Sequence, residues 1–123
     1  MILLDTNALI WLLTASPRAS PLQETKEGLR TSPVALLELR FLNEVGRLSV
    51  LPGHRLDEIT LDPRWKLDSP SAAKLFEAAF DLDWTRDPFD RLLVAHARYR
   101  GWRLATGDRT LKERLGADLI WAL

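Results

Sequence analysis

Short apolar runs that end in polar residues recur along the chain and predict strands alternating with helices. The first run, Ile2 to Leu4, ends at Asp5, and an apolar stretch of helical length follows from Ala8 to Leu13. A short run bounded in this way is typical of a buried strand, and the longer stretch is typical of a helix. Further strands are predicted at 28–32, 47–51, 102–106 and 117–123, and further helices at 22–28, 33–45, 70–82, 88–100 and 109–115. This alternation indicates an α/β fold with a mostly parallel central sheet and helices on its faces.

Helical periodicity predicts which side chains these helices bury. In the helix at 33–45 one broad apolar arc contains Val34, Ala35, Leu37, Leu39, Phe41, Leu42 and Val45. The helix at 70–82 is predicted to bury Ala72, Leu75, Phe76, Ala79 and Phe80, and the helix at 88–100 to bury Phe89, Leu92, Leu93, His96 and Tyr99. His96 is interpreted as a core histidine with satisfied hydrogen bonds rather than as a ligand or a base. Residues 54–71 predict little beyond a short element at 56–61, and His54 has no evident role.

The composition restricts the class of protein. A chain of 123 residues, 46% of them hydrophobic, predicts a single domain spanning 1–123 with a sizeable core. The chain contains no cysteine, which excludes a disulfide framework, a thiolate metal site and a thiol nucleophile. No apolar run approaches the roughly 20 residues of a membrane span, and the start lacks the basic residues of a signal peptide. We therefore expect a soluble cytoplasmic protein without a membrane partner.

Two aspartates follow predicted strands directly, and each precedes a predicted helix. Asp5 ends the first strand, and Asp108 follows the strand at 102–106. The carboxyl ends of parallel strands form the edge at which α/β sheets bind their ligands. The alternative for Asp5 is that it only caps the following helix, because Asp, Thr and Asn are all common capping residues.

Two further acids lie on helices. Glu38 falls inside the apolar arc of its helix, where a carboxylate is costly to bury unless something compensates its charge. Two interpretations of Glu38 remain: it forms a buried ion pair with an arginine, or it is a metal ligand. Asp87, followed by Pro88, is interpreted as the cap of its helix, with a supporting role beside a metal site as an alternative. Asp90 stands in the first turn of that helix, at the edge of the apolar stripe.

This topology allows four carboxylates from distant parts of the chain to converge on one crevice. Acids this close together could not all ionise unless a cation compensated them, and Mg²⁺ and Mn²⁺ prefer oxygen ligands. Such a site suits the hydrolysis of phosphodiester bonds, in which the metal activates water. The formal net charge is zero, but residues 84–114 contain eight basic and four acidic side chains, so that a metal-neutralised site would lie in a basic region that suits a phosphate backbone.

Four segments together resemble the acidic motifs of PIN-domain ribonucleases, and most of all the VapC-like toxins of type II toxin–antitoxin systems. They are Leu4-Asp-Thr-Asn7, Ser32 with Glu38, Asp87-Pro-Phe-Asp-Arg-Leu-Leu-Val-Ala95 and Leu104-Ala-Thr-Gly-Asp108. The order and spacing of these segments resemble those of the family's acidic motifs over nearly the whole chain.

The resemblance implies a three-layer α/β/α fold and an Mg²⁺- or Mn²⁺-dependent endoribonuclease. By motif position, Asp5, Glu38, Asp90 and Asp108 match the catalytic, metal-binding acids, and Thr6, Asn7 and Thr106 are supporting polar groups. It also implies a homodimer, a cognate antitoxin that blocks the site, and an RNA substrate. Arg86, Arg91 and Arg109 are candidate phosphate contacts.

Three other functions were weighed against this hypothesis. A phosphatase of the haloacid dehalogenase type needs a second aspartate two residues after the first, where this chain has Asn7. A response-regulator receiver needs an acidic pair near the first strand and a phosphorylated aspartate on a middle strand, and neither is visible. A PIN-like module that only binds RNA or protein would have no reason to bury Glu38. The non-catalytic module is the main alternative.

Overall fold

Strand β1 (Ile2–Leu4) lies at the centre of a parallel sheet in the computed structural model, which describes residues 1–48 and 56–123. The other strands are β2 (Leu29–Thr31), β3 (Lys66–Leu67), β4 (Arg103–Thr106) and β5 (Ile120–Ala122). Their order across the sheet is β3-β2-β1-β4-β5, and every pairing between them is parallel. The predicted α/β fold with a central, mostly parallel sheet is confirmed.

Helices connect these strands and form the layers that cover the sheet. They are α1 (Thr6–Leu13), α2 (Ser20–Glu24), α3 (Pro33–Glu44), α4 (Leu56–Thr60), α5 (Ala72–Ala78), α6 (Pro88–Arg100) and α7 (Arg109–Arg114). A short 3₁₀ turn, Pro17–Ala19, precedes α2. None of the described helices is long and apolar enough to cross a membrane.

The core is densest around β1. All three of its side chains are completely buried, as expected for a central strand of a parallel sheet that is covered on both faces. Leu93 and Val94 of α6 and Leu104 of β4 are also fully buried. Because β1 and β4 are neighbours in this core, the residues that follow them lie side by side at one edge of the sheet.

Several predicted boundaries were wrong. Helix α2 begins at Ser20, where Pro21 suits a first turn, and ends before Thr25, which is extended, so it does not cover 22–28. Helix α5 ends at Ala78 because the chain tightens into a turn, in which the amide of Phe80 donates to the carbonyl of Glu77. In the region of the predicted strand 47–51, Arg47 and Leu48 are not in a strand, and 49–51 lie outside the described residues. Strand β3 was not predicted.

Several side chains predicted to be buried are exposed. On α3 these are Leu37 (63% exposed), Phe41 (45%) and Val45 (51%). On α5, on the turn after it and on α6 they are Ala72, Phe76, Phe80 (73%) and Tyr99. Helical periodicity identifies an apolar face, but a chain of this size covers only part of each face, so these residues remain at the surface.

A buried hydrogen-bonded chain joins β3 to α3 and α6. The fully buried His96 of α6 contacts the Ser32 hydroxyl through Nδ1 (2.8 Å) and the Asp68 carboxylate through Nε2 (2.7 Å). Burial lowers the pKa of the His96 imidazole below its usual range, which favours the neutral form, although Asp68 opposes that effect. Burial raises the pKa of Asp68, but its hydrogen bonds from His96 and Arg100 outweigh this and hold the pKa below its usual value.

These pKa directions determine the hydrogen positions. An ionised Asp68 can only accept, so His96 Nε2 carries the proton and Nδ1 accepts from the Ser32 hydroxyl. The same serine oxygen accepts from the Val34 amide and thereby caps α3. His96 is a satisfied core histidine, as predicted, and it links the start of α3 to the middle of α6.

We predict that Asp68→Ala lowers the free energy of unfolding by about 2 kcal/mol, because the buried His96 N–H loses its acceptor. Urea denaturation of purified protein measures this value. The matched control is Asp81→Ala, which removes an aspartate that is exposed and lies 3.6 Å from Arg98. An exposed ion pair of this kind contributes little, so the control should stay within about 0.5 kcal/mol of the wild type. Equal effects of the two substitutions would contradict the prediction.

Candidate active site

An acidic cleft of about 180 Å³ opens at the carboxyl edge of the sheet. Its lining consists of five acidic side chains, two polar ones and one leucine: Asp5, Glu38, Asp87, Asp90, Asp108, Thr6, Asn7 and Leu42. These residues come from the ends of β1 and β4, from α1 and α3, and from the start of α6. Within residues 1–48 and 56–123, no lysine or arginine contributes to the lining.

Asp5 extends β1 and also caps α1. Its amide donates to the Ala105 carbonyl of β4, which keeps it in the plane of the sheet. Its Oδ1 accepts from the Ala8 amide at 2.7 Å, so the capping interpretation is correct. The side chain nevertheless lines the cleft, so the two interpretations do not exclude each other.

The Asp5 carboxyl has an unusual proton affinity. The pKa of Asp5 is raised from 3.8 to about 6, chiefly by burial and to a smaller extent by the charges of Glu38 and Asp108, while hydrogen bonds from Thr106 and Ala8 act in the opposite direction. A carboxyl group buried at this level without a basic partner holds its proton up to about pH 6.

Glu38 is half-buried and is held by a threonine. The Thr6 hydroxyl at the start of α1 donates to Glu38 Oε1. Burial raises the pKa of Glu38, the Thr6 hydrogen bond lowers it, and the charge of Asp87 raises it. Among the described residues no arginine or lysine pairs with Glu38.

The two aspartates at the start of α6 have different roles. Asp87 Oδ1 accepts from the amides of Phe89 (2.9 Å) and Asp90 (3.1 Å) and caps the helix, as predicted. Asp90 is left to project into the cleft. The pKa of Asp90 is raised from 3.8 to about 7, chiefly by burial and in addition by the charges of Asp87, Glu38, Asp108 and Asp5. Because the charges of the other four acids all act on the pKa of Asp90, the carboxylates of the cleft interact electrostatically.

Asp108 occupies the same position after β4 that Asp5 occupies after β1. Its Oδ1 accepts from the Leu111 amide at 2.9 Å and caps α7. Its own amide donates to the Thr106 hydroxyl at 3.0 Å, and that hydroxyl also bonds the Asp5 side chain. Thr106 is completely buried, and it ties the ends of the two neighbouring strands together.

The donor chemistry of the cleft fits a hard divalent cation, since every candidate ligand is an oxygen. As they are placed here, however, no three acidic or histidine side chains in residues 1–48 and 56–123 form a group that could hold a metal ion. Asp5, Asp87 and Asp108 each direct one oxygen at a backbone amide, and Glu38 directs one at Thr6. These hydrogen bonds hold the four side chains in this arrangement.

The three predicted phosphate contacts lie outside the lining of the cleft. Arg86 is exposed. Arg91 donates to the carbonyls of Ala79 (2.8 Å) and Phe80 (2.9 Å), so most of its guanidinium holds the turn after α5. Arg109 is highly exposed and pairs with Glu113 at 2.9 Å.

Leu42 is the one residue of the lining that the sequence analysis did not single out for the site. It lies one helical turn after Glu38 on α3, and this spacing puts it on the same side of the helix. The spacing was a usable signal, but Leu42 was assigned to the core arc instead.

Comparisons with known proteins agree with this architecture. The structure is similar to a chain in the crystal structure of VapBC2 from Rickettsia felis bound to a DNA fragment from their promoter. The TM-score is 0.68, with 21% identity over 98% of this chain and 96% of that chain. No match was found among curated proteins. The family model for the PIN domain matches residues 2–114, a range that contains all five acids of the cleft. This match covers most of the sequence, and the chain therefore belongs to the PIN domain family.

Proposed function

We propose that this protein is an endoribonuclease that hydrolyses phosphodiester bonds of RNA and depends on Mg²⁺ or Mn²⁺. The observation that carries the proposal is the convergence of five acidic side chains on one cleft, to whose lining the described residues contribute no basic side chain. Burying charge without compensation is costly, and two of the carboxyl groups have pKa values raised to about 6 and about 7. A divalent cation with oxygen ligands would remove this cost.

Asp5, Glu38, Asp90 and Asp108 are the residues that would hold the metal. When bound, a metal of this type activates water and offsets negative charge that develops on the phosphate oxygens. No serine or cysteine nucleophile is needed, because water is the attacking group, and the chain contains no cysteine.

The remaining polar groups orient these ligands. Thr6 fixes Glu38 through its hydroxyl, and Thr106 holds both the Asp5 side chain and the Asp108 backbone. Asp87 caps α6, which fixes the turn from which Asp90 projects. Asn7 offers a neutral amide at the lining, where it can bind a phosphate oxygen without adding negative charge. Arg86 and Arg109 are exposed and could approach the RNA backbone, Arg109 in exchange for its pairing with Glu113, whereas Arg91 is engaged with Ala79 and Phe80.

We further propose that the protein is the toxin of a toxin–antitoxin pair and acts in the cytoplasm. The similar structure from Rickettsia felis is, by its description, a VapBC complex. The apolar row Leu37, Phe41 and Val45 supports a protein partner, because it is exposed on the same helix that delivers Glu38 and Leu42 to the cleft. An antitoxin seated on this row would lie next to the cleft and could block it.

The alternative is a non-catalytic PIN-like module that binds RNA or protein. Such a module gains nothing from a cluster in which burial and neighbouring charges raise the pKa values of Asp5, Glu38 and Asp90, and the same acids would repel an RNA backbone. The raised pKa values therefore favour the enzyme.

We expect purified, antitoxin-free protein to cleave total RNA into discrete products with Mg²⁺ or Mn²⁺ and not with EDTA. Asp5→Asn and Asp90→Asn should each lower the rate at least about a hundredfold, because each removes a charged metal ligand. Product analysis on denaturing gels measures the rate. Asp81→Asn, which neutralises an exposed aspartate on another surface, should cleave normally.

Two outcomes would contradict this assignment. A folded, antitoxin-free protein that cleaves nothing with any divalent metal would favour the binding module. Products that are equally abundant with Asp5→Asn would arise from a contaminating nuclease or from a different site.

The pKa of Asp90 predicts how stability depends on pH in EDTA. Its carboxyl titrates at about 7 in the folded chain and at about 3.9 in the unfolded chain. Between these values the folded state binds more protons at this position, so the contribution of Asp90 to stability falls as pH rises and is constant above pH 7. Asp90→Asn keeps this position neutral at every pH.

The free energy of unfolding of Asp90→Asn minus that of wild type should therefore be near zero around pH 4 and should rise to roughly 2 kcal/mol or more around pH 8. Urea denaturation across this range measures the difference. Asp83→Asn, at an exposed site outside the cleft, should give a difference that does not change with pH. A flat profile for Asp90→Asn would mean that its carboxyl is not perturbed.

We also propose a homodimer, supported by Phe76, Phe80 and Tyr99, which are exposed on and next to the packed helices α5 and α6. Light scattering during size-exclusion chromatography should give a mass near twice the 14.0 kDa of the chain. Phe80→Glu should give the mass of a monomer, because it puts a charge into the buried interface. Lys74→Glu is the comparison variant, since it changes a charge at the rim of the same surface. A monomeric wild type would exclude the dimer.

A further inference from the structure

Trp11 and Arg18 form a stacked pair beside the acidic cleft. The Arg18 guanidinium carbon lies 3.9 Å from the centroid of the Trp11 ring, the shortest of the cation–π distances among the described residues. Trp11 is half-buried, while Arg18 is exposed. We propose that this pair is an RNA-binding site, in which Arg18 binds a backbone phosphate next to the one that is cleaved. The proposal rests on the ribonuclease function proposed above.

The turn after α1 brings Arg18 back onto Trp11. The Ser16 amide donates to the Trp11 carbonyl at 2.8 Å, and the Ala15 amide donates to the Leu12 carbonyl, a pattern that ends helices at a left-handed residue. That residue is Ala15, whose φ is 54°. This left-handed conformation is unfavourable for alanine, because of its Cβ atom, but not for glycine. The Ser16 hydroxyl then accepts from the Arg18 amide and starts the 3₁₀ turn.

Contacts with the β4–α7 connection fix the pair in place. A Cβ atom at Gly107 would lie 2.6 Å from Trp11 Cη2 and 3.0 Å from Arg18 Nη2, so only a glycine leaves room for the pair. Gly107 directly precedes Asp108, and Trp11 lies one helical turn after Asn7 on α1. Because Asn7 and Asp108 both line the cleft, the pair lies at its rim.

Arg18 differs from Arg64 and Arg100, which also lie near aromatic rings. Arg64, over Trp65, is bound by Asp62, and Arg100, near Trp102, is bound by Asp68. Within residues 1–48 and 56–123 no carboxylate or carbonyl accepts a hydrogen bond from the Arg18 guanidinium. Its face is covered by Trp11, and its N–H edge is available for another acceptor.

The chemistry of this edge fits a phosphate group. A guanidinium donates two parallel hydrogen bonds to phosphate oxygens, and stacking on a ring fixes the plane in which it does so. The acids of the cleft repel an RNA backbone, so a cation at the rim is needed to hold the strand beside them. The Trp11 face that Arg18 covers is closed to a nucleobase, which makes a phosphate the better ligand for the pair.

The test measures binding of a fluorescent single-stranded RNA by anisotropy, with Mg²⁺, in full-length Asp5→Asn protein so that the RNA stays intact. Adding Arg18→Ala should weaken binding about tenfold. It should also make the fall of the log association constant with log salt concentration less steep by about 0.7, the value for one phosphate contact on a single strand. Arg18→Lys keeps the positive charge but lacks the planar guanidinium, so its affinity for RNA should lie between that of the parent and that of Arg18→Ala.

The matched control is Lys26→Ala, which removes one exposed cation from the loop before β2, at the opposite edge of the sheet. It should change neither the affinity nor the salt slope. An Arg18→Ala protein that remains folded and binds RNA with the affinity and salt slope of its parent would overturn the proposal, as would an equal loss in the Lys26 control.

Cleavage assays in the wild-type background separate this proposal from the one on which it rests. If wild type cleaves RNA and Arg18→Ala cleaves with an unchanged KM, the binding site is wrong and the nuclease stands. If wild type does not cleave at all, the proposed function itself fails. A raised KM with little change in kcat is the result expected for a residue that binds the strand away from the scissile phosphate.

Discussion

The crowding of carboxylates in one partly buried cleft is the constraint on which the rest of this structure depends. Five acids share the cleft, and the charges of Asp87, Glu38, Asp108 and Asp5 all act on Asp90. Among the described residues no basic side chain of the lining offsets them. The fold holds the group together by giving four of the five acids a neutral hydrogen-bond donor, from a backbone amide or from a threonine hydroxyl, and by anchoring the segments in a central parallel sheet whose core strand is fully buried.

Capping and cleft formation are performed by the same side chains. Asp5, Asp87 and Asp108 each begin a helix, and each also faces the cleft. The geometry explains this coincidence, because a strand that ends at the sheet edge and continues into a helix puts its first capping residue at that edge. One oxygen of each carboxylate stabilises the helix, and the other remains for chemistry.

The sequence was sufficient for whatever depends on neighbours along the chain. The positions of Asp5 and Asp108 after strands, the Ser32-Pro33 and Asp87-Pro88 helix starts, and the apolar β1 were all predicted from local patterns. Apart from the convergence of the acids at the edge of the sheet, contacts between distant segments were not. Strand β3 has only two residues, and it is held in place by Asp68 bonding to His96 and Arg100 from α6, a partnership that no local pattern reveals. Exposure of Phe41 and Phe80 also escaped prediction, because periodicity identifies an apolar face but not how far the rest of the chain covers it.

The double use of the caps has an evolutionary consequence. Asparagine caps helices about as well as aspartate does and carries no charge, so replacing a cleft aspartate by asparagine keeps the helix start and relieves repulsion. We expect such variants to stay folded, and a single nucleotide change separates Asp codons from Asn codons. Random drift would move the cleft towards amides, so only continued selection on what the acids do can maintain a cluster of five of them in one cleft.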